Sequence, residues 1–310
     1  MNELHIGGLR ESSPEKVAKR YRLGAVRTEI NLNEIAGKDF SVCSNLEMRD
    51  QRSEDSCTSH AVATAIEAHE GTPISQKYQF MQTKLAEGRT DTWGASLEDA
   101  LGVPVKIGAL KKEDEPEQFK DAQRDEYVEW SKWPPLEEKA SPQVQQSYWW
   151  IEQGGYPSIF DALIANLYQN LEKKNIIISG APWRNSWTFS QGSMSVRGQI
   201  PKELPDNDPK MGHAFDFCGV KHIAGEAHLV AHLSNGEGFG DKGHFYFPKN
   251  VVEKEFKYGF AMYLDIPAGT AKKISTSKYS PYWNSKLIFM WNTLYKINSI
   301  LSQLLKIQGD

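Results

Sequence analysis

Cysteine is scarce in this chain of 310 residues: Cys43, Cys57 and Cys218 are the only three. That is too few for a disulfide-stapled secreted scaffold, and an odd number leaves at least one thiol free. No CxxC, HExxH or tight Cys/His cluster occurs along the sequence, so no metal and no cofactor is expected. No Lys/Arg block or basic arm is present, and the formal net charge is −4, which argues against nucleic acid as a partner. No apolar run is long enough to span a bilayer, and the first ten residues lack the apolar stretch of a Sec-type signal peptide. A reducing cytoplasm is the expected location, with export by a signal-independent route left open. Cys43 and Cys218 read as inert buried thiols.

What is there is ordinary in amount and uneven in arrangement. Apolar residues at 39% and charged residues at 25% describe a globular protein large enough for a well-buried core. Residues 1–40 are polar and mixed and read as an arm packed on the main domain. Helical spacing runs from Cys57 to Glu70 until Gly71-Thr72-Pro73 stops it. A second helix is expected over Ser75–Gly88, and a third after Ser96, which forms a capping box with Asp99. Residues 111–147 are highly charged and proline-bearing, and read as a solvated, loosely structured connection. Residues 158–173 return to helical spacing.

From Asn175 the period changes to that of strands: Ile176–Ile178, Ala214–Val220, Leu229–Leu233, His244–Phe247 and Phe260–Leu264. Helices first and antiparallel strands later give an α+β class. The expected division is a helical lobe over about 50–155 and a β-rich lobe over about 156–270. Residues 280–308 carry a helical apolar stripe, broken by Asn292, Lys296, Asn298 and Gln303. It reads as a helix docked on its own domain, or on a partner, a second copy or a membrane surface.

The chemistry-bearing segment is Gln51-Arg52-Ser53-Glu54-Asp55-Ser56-Cys57. A thiol is a poor nucleophile until ionised, and the first turn of a helix is one of the few settings where backbone alone favours the thiolate. Such a cysteine needs an imidazole, and the imidazole needs an orienting group. Of eight histidines, His213 stands out in Met211-Gly212-His213-Ala214, at a strand start after a glycine that permits close approach. Asn235 ends a strand before a glycine-rich turn, where its amide can accept from the far nitrogen of the ring.

These pieces, in the order Gln, Ser-Cys, Gly-His-Ala, Asn, resemble the papain-like cysteine peptidases over about residues 40–265. His213 follows Cys57 at slightly more than the roughly 130–150 residues usual for the family. The resemblance implies a two-lobed fold, a helical lobe followed by an antiparallel barrel-like lobe, with a cleft that takes an extended protein or peptide substrate. It implies that Cys57 attacks the carbonyl carbon, His213 pairs with it and protonates the leaving amine, and Asn235 orients His213. Gln51 and the Cys57 backbone N–H would form the oxyanion hole. Gly94 would pair with substrate backbone, and Met211 and Ala214 would flank the specificity pocket.

Departures are equally plain. Thr58 and His60 follow the nucleophile where the family carries aromatic or small residues. The tryptophan of the family's Asn-Ser-Trp-Gly is absent, so Gly238 or Phe239 is expected to shield the ring pair. The paired cysteines of secreted members are missing, and only about fifty residues precede Gln51, too few for a long inhibitory prosegment. The same triad could therefore serve acyl transfer, deamidation or isopeptide cleavage on one protein, or the fold could be a binding module that has lost turnover.

Overall fold

The computed structural model describes residues 9–10, 32–89, 93–140, 147–151, 153, 155–189, 196–203, 210–256 and 259–263. The stripe at 280–308 and His5 lie outside the described residues.

Helix α1, Cys57–Glu70, is buried around nearly its whole circumference from Cys57 to Ala68. Small residues make this possible: Ala61, Ala63, Ala65 and Ala68 let neighbouring elements approach on every side. It ends where Gly71 adopts φ 69° and returns its N–H to the Glu67 carbonyl, as a glycine C-cap does. Helix α2, Gln76–Glu87, starts at Ser75, whose side chain accepts from the Tyr78 N–H. Helix α3, Leu97–Lys106, starts at Ser96, which accepts from the Asp99 N–H.

The expected loose connection is instead packed. Residues 112–138 form successive short turns, including helices α4 (Glu117–Asp121) and α5 (Arg124–Tyr127). Phe119, Ala122, Tyr127, Val128, Leu136 and Ala140 build a core with Tyr78, Phe80 and Met81 of α2. The abundant charges hid these spaced apolar anchors, which bury one at a time rather than as a helical stripe.

Beyond it lie β4 (Ser147–Ile151), α6 (Ile159–Gln169), β5 (Ile177–Arg184), α7 (Asn185–Phe189), β6 (Lys210–Ile223), β7 (Glu226–His232), β8 (His244–Pro248), α8 (Lys249–Glu255) and β9 (Gly259–Tyr263). The sheet order is β4-β9-β5-β6-β7-β8, every pairing antiparallel, with β2 (Phe40–Ser41) added on β6. Among the described strands the sheet stays open rather than closing into a barrel. Its strands come from both sides of residue 155.

The sheet separates two cores. Phe215 and Phe217 of β6 face α6 and α8, together with Leu163, Trp183, Phe247 and Val252. Ala214 and Cys218 face the opposite way, onto α1 and α3, with Val62, Ile66, Leu97 and Leu101. This alternation is the period-2 pattern of a strand buried on both faces. A shift in the β6–β7 register between Phe217 and Gly219 marks a bulge at Cys218.

The cysteine reading needs correction. Cys43 and Cys218 are joined by a disulfide across 175 residues of sequence, and Cys57 is the free thiol. Nothing local signals this pairing. It arises because β2 lies on β6, where the Val42 N–H donates to the Cys218 carbonyl at 2.9 Å.

Candidate active site

Cys57 opens α1 and has no solvent exposure. The loop before it is held in an unusual conformation: Arg52 and Asp55, neither a glycine, both take φ of 50°. Such conformations persist where surrounding structure over-determines them. Within the loop the Arg52 N–H donates to Asp50 Oδ1 at 2.8 Å and the Glu54 N–H donates to the Gln51 carbonyl at 3.0 Å, and just upstream Arg49 is buried. Its guanidinium pairs with Glu67 of α1 and donates to the Ile74 carbonyl at 3.0 Å and to Gln76 Oε1 at 2.8 Å.

The Cys57 sulfur faces β6. The Ala214 N–H donates to Sγ at 3.3 Å, which sets the thiol against the backbone of the residue after His213. His213 is fully buried. On the neighbouring strand Ala181 is its register partner, and the Trp183 ring packs edge-on to the imidazole with centroids 5.6 Å apart. The aromatic against the imidazole is therefore Trp183, from an adjacent strand. Phe239 packs partly buried against the aromatic core, and Gly238 is exposed. The tryptophan stands more than fifty residues upstream of Asn235, where no motif ties it to the site.

Gln51 and Asn235 meet through paired backbones. The Gln51 N–H donates to the Ser234 carbonyl at 2.7 Å, and the Gly236 N–H donates to the Arg49 carbonyl at 2.9 Å. An isolated bridge joins Asp50 to Asn235. The Ser234 hydroxyl donates to Gln51 Oε1 at 2.7 Å, which orients the amide and directs donation to its Nε2 end. Ser234 is a second residue that motif reading passed over, although it adjoins Asn235. The structure thus gathers Gln51, Cys57, His213 and Asn235 at the junction of α1, β6 and the turn after β7.

Gly94 lies beside β3 (Ala95–Ser96), with φ 68° and its carbonyl accepting from Lys84 Nζ at 2.9 Å. Met211 is 51% exposed, two residues before His213, while Ala214 is buried. Between β3 and β6 runs β1, Leu9–Arg10, parallel to β3 with Leu9 opposite Ala95 and Arg10 opposite Ser96. A Cβ on Gly212 would lie 2.4 Å from the Leu9 carbonyl oxygen, and one on Gly180 would lie 2.5 Å from Leu9 Cδ2. Arg10 is anchored by Glu87, which also pairs with Lys84 at 3.0 Å. Leu9–Arg10 thus lies against Gly212, the residue before His213.

The electrostatics follow from this closure. Burial pushes the Cys57 thiol up to about 12, reinforced by the Asp55 charge and opposed by the Ala214 N–H. The helix N-terminus is outweighed by burial. His60, Thr64, Asp216, His232 and Ser234 lie close together around Ala214. Burial holds His60 well below the ordinary imidazole range, helped by the Arg49 and His213 charges. Burial likewise takes His232 down to about 3 and lifts Asp216 well above the ordinary carboxyl range, against the pull of Arg49. In each case burial disfavours the charged form.

No helix of the described residues is long and apolar enough to cross a membrane. No family model and no curated protein matches the chain. Solved structures do. The chain is similar to xylellain, a cysteine protease from Xylella fastidiosa, at 18% identity and a TM-score of 0.53, covering 84% of this chain and 96% of that one. It is similar to proCathepsin B S9 from Trypanosoma congolense at 12% identity and a TM-score of 0.56, covering 83% and 86%. It is also similar to bromelain from Ananas comosus, solved with the E64 inhibitor, at 12% identity and a TM-score of 0.52, covering 73% and 99%. The mixed helices, the antiparallel sheet and these likenesses agree on one architecture: the chain has a papain-like α+β fold.

Proposed function

We propose that this chain is a cysteine peptidase in which Cys57, His213, Asn235 and Gln51 act together on a peptide bond. One observation carries the reading: the sole free thiol starts a buried helix and rests on the backbone N–H of the residue after His213. His213 would take the Cys57 proton, and the thiolate would attack the substrate carbonyl carbon. The oxyanion would be met by Gln51 Nε2–H and the Cys57 backbone N–H. His213 would then deliver its proton to the leaving amine as the C–N bond breaks. Water, deprotonated by His213, would release the acyl group from sulfur and restore the thiol. Asn235 would hold the ring through the second nitrogen, and Trp183 would keep water from its flank. Met211, Ala214 and Gly94 would border the groove where the substrate lies, in place of Leu9–Arg10.

The test is peptide hydrolysis by wild type, Cys57→Ala and His213→Ala, with labelling by a thiol-directed epoxide. Both variants are expected to lose hydrolysis, and the label is expected on Cys57. Wild-type chain freed of residues 1–12, reduced, and still unlabelled at Cys57 would sink the reading. Labelling without hydrolysis of any peptide library, together with modification of one protein substrate, would replace it with specialised acyl transfer.

A further inference from the structure

Cys43, Cys218 and His244 come from three distant parts of the chain: the residue pair after β2, the bulge in β6, and the first residue of β8. One donor atom from each lies within 4.8 Å of the other two. The disulfide uses only two of the three, and it has no need of the imidazole.

Cys43 has a hydroxyl donor beside it, Cys218 Sγ lies 3.7 Å from the Val230 carbonyl, and the ring is fixed. Ser41 Oγ lies 3.1 Å from Cys43 Sγ, where its hydroxyl can donate to a thiolate. His244 Nδ1 lies 3.3 Å from the Asp241 carbonyl, so Nδ1–H donates there and Nε2 keeps its lone pair. Nε2 in turn stands 3.3 Å from His232 Nδ1, a contact that an ion would exchange for its own bond. The bulge turns Cys218 out of the regular register, a common device for re-aiming one side chain. Both cysteines are buried and His244 is half-buried.

We propose that, once the Cys43–Cys218 bond is reduced, Cys43, Cys218 and His244 hold a zinc-class divalent cation, with water in the fourth position. Two thiolates and a neutral imidazole form a donor set that such ions prefer, and the two negative charges balance the ion in a place where an unpaired charge is costly. The chemistry balances in two steps. A dithiol gives two electrons and two protons to the S–S bond and becomes a disulfide itself. The cation then displaces both thiol protons to solvent. The result is an exchangeable clip. The disulfide ties the segment that precedes Arg49 and Gln51 to the strand that continues from His213, and the ion would add the segment that follows the Asn235 turn. The inference is independent of the peptidase reading, since none of its three residues belongs to the proposed catalytic set.

The three cysteines permit a clean experiment. In Cys57→Ser chain, reduced with a dithiol and freed of it without air, added Co2+ is expected to give thiolate-to-metal charge-transfer absorption saturating at one ion per chain. The same chain left oxidised is a folded control and is expected to give none. Cys218→Ser in that background should abolish the band, and His244→Ala should weaken binding at least tenfold. As a measurement free of cysteine substitution, Zn2+ should further slow the alkylation of Cys43 and Cys218 in reduced wild type, read by mass spectrometry, and leave the rate at Cys57 unchanged. Reduced chain that takes up no Co2+, a band that survives Cys218→Ser, or affinity unchanged in His244→Ala would overturn the proposal.

Discussion

A buried thiol at a helix start is pulled in two directions, and here burial prevails. With its pKa raised to about 12, Cys57 is almost wholly protonated at pH 7–8, so alkylation of the intact chain should be slow there and climb steeply with pH. A rate that is already fast and flat near pH 7 would show an open, ionised site. Gln51 makes a separate prediction. If its Nε2–H meets the oxyanion, Gln51→Ala should lower kcat by roughly 10²–10³ with KM little changed. Asp216 tests the buried polar layer. Its pKa is raised on folding, so the folded chain keeps the proton that the unfolded chain loses above its ordinary value near 3.8. Stability is therefore full below that value and falls as pH rises toward the raised one. Asp216→Asn should stabilise the chain at pH 7 in urea unfolding, by an amount that vanishes near pH 4. A constant gain across that range would mean that the residue is not buried as an acid.

Strand β1 shows how much two residues can do when they pair with an edge. Leu9–Arg10 takes the backbone partners that β3 offers, and it lies so near β6 that Gly212 admits no side chain. Gly212→Ala should therefore displace β1 without disturbing the aromatic core, and the alkylation rate of Cys57 at pH 7 should rise, as it should on removal of residues 1–12. Equal rates in variant and wild type would show that β1 does not govern access. Trp183 illustrates the same dependence between neighbouring strands. Its ring touches Trp187, Phe245 and Phe247 as well as His213, so it joins the aromatic core to the imidazole. A local motif cannot contain such a residue, because strand pairing alone brings it to His213.

The disulfide is a long-range tie whose loop length can be used quantitatively. Cross-linking residues 175 apart removes enough freedom from the unfolded chain to contribute about 5 kcal/mol in the chain-entropy picture. Cys43→Ser is expected to lower the unfolding free energy by about 2–5 kcal/mol in urea, with α1 and its cap unaffected by circular dichroism. A change under 1 kcal/mol would mean that β2 stays on β6 through backbone pairing alone. The packed segment 112–138 belongs to the same level of organisation. Its anchors pack on α2, a distant segment, so their spacing matches neither a helix nor a strand.

Helices α1, α2 and α3, the strands after Asn175 and the order of Gln51, Cys57, His213 and Asn235 are legible in the sequence. They depend on local rules: apolar period, a serine cap three residues before an acid, a glycine stop, and motif order. The disulfide, the Trp183 contact, the orientation of Gln51 by Ser234 and the approach of Leu9 to Gly212 are not legible there. Each requires two segments that only strand pairing or helix docking makes neighbours, across gaps that no local pattern spans. The ionisation of Cys57 divides along the same line. Its position at a helix start is local and favours the thiolate, whereas its burial is a property of the assembled fold and decides against it.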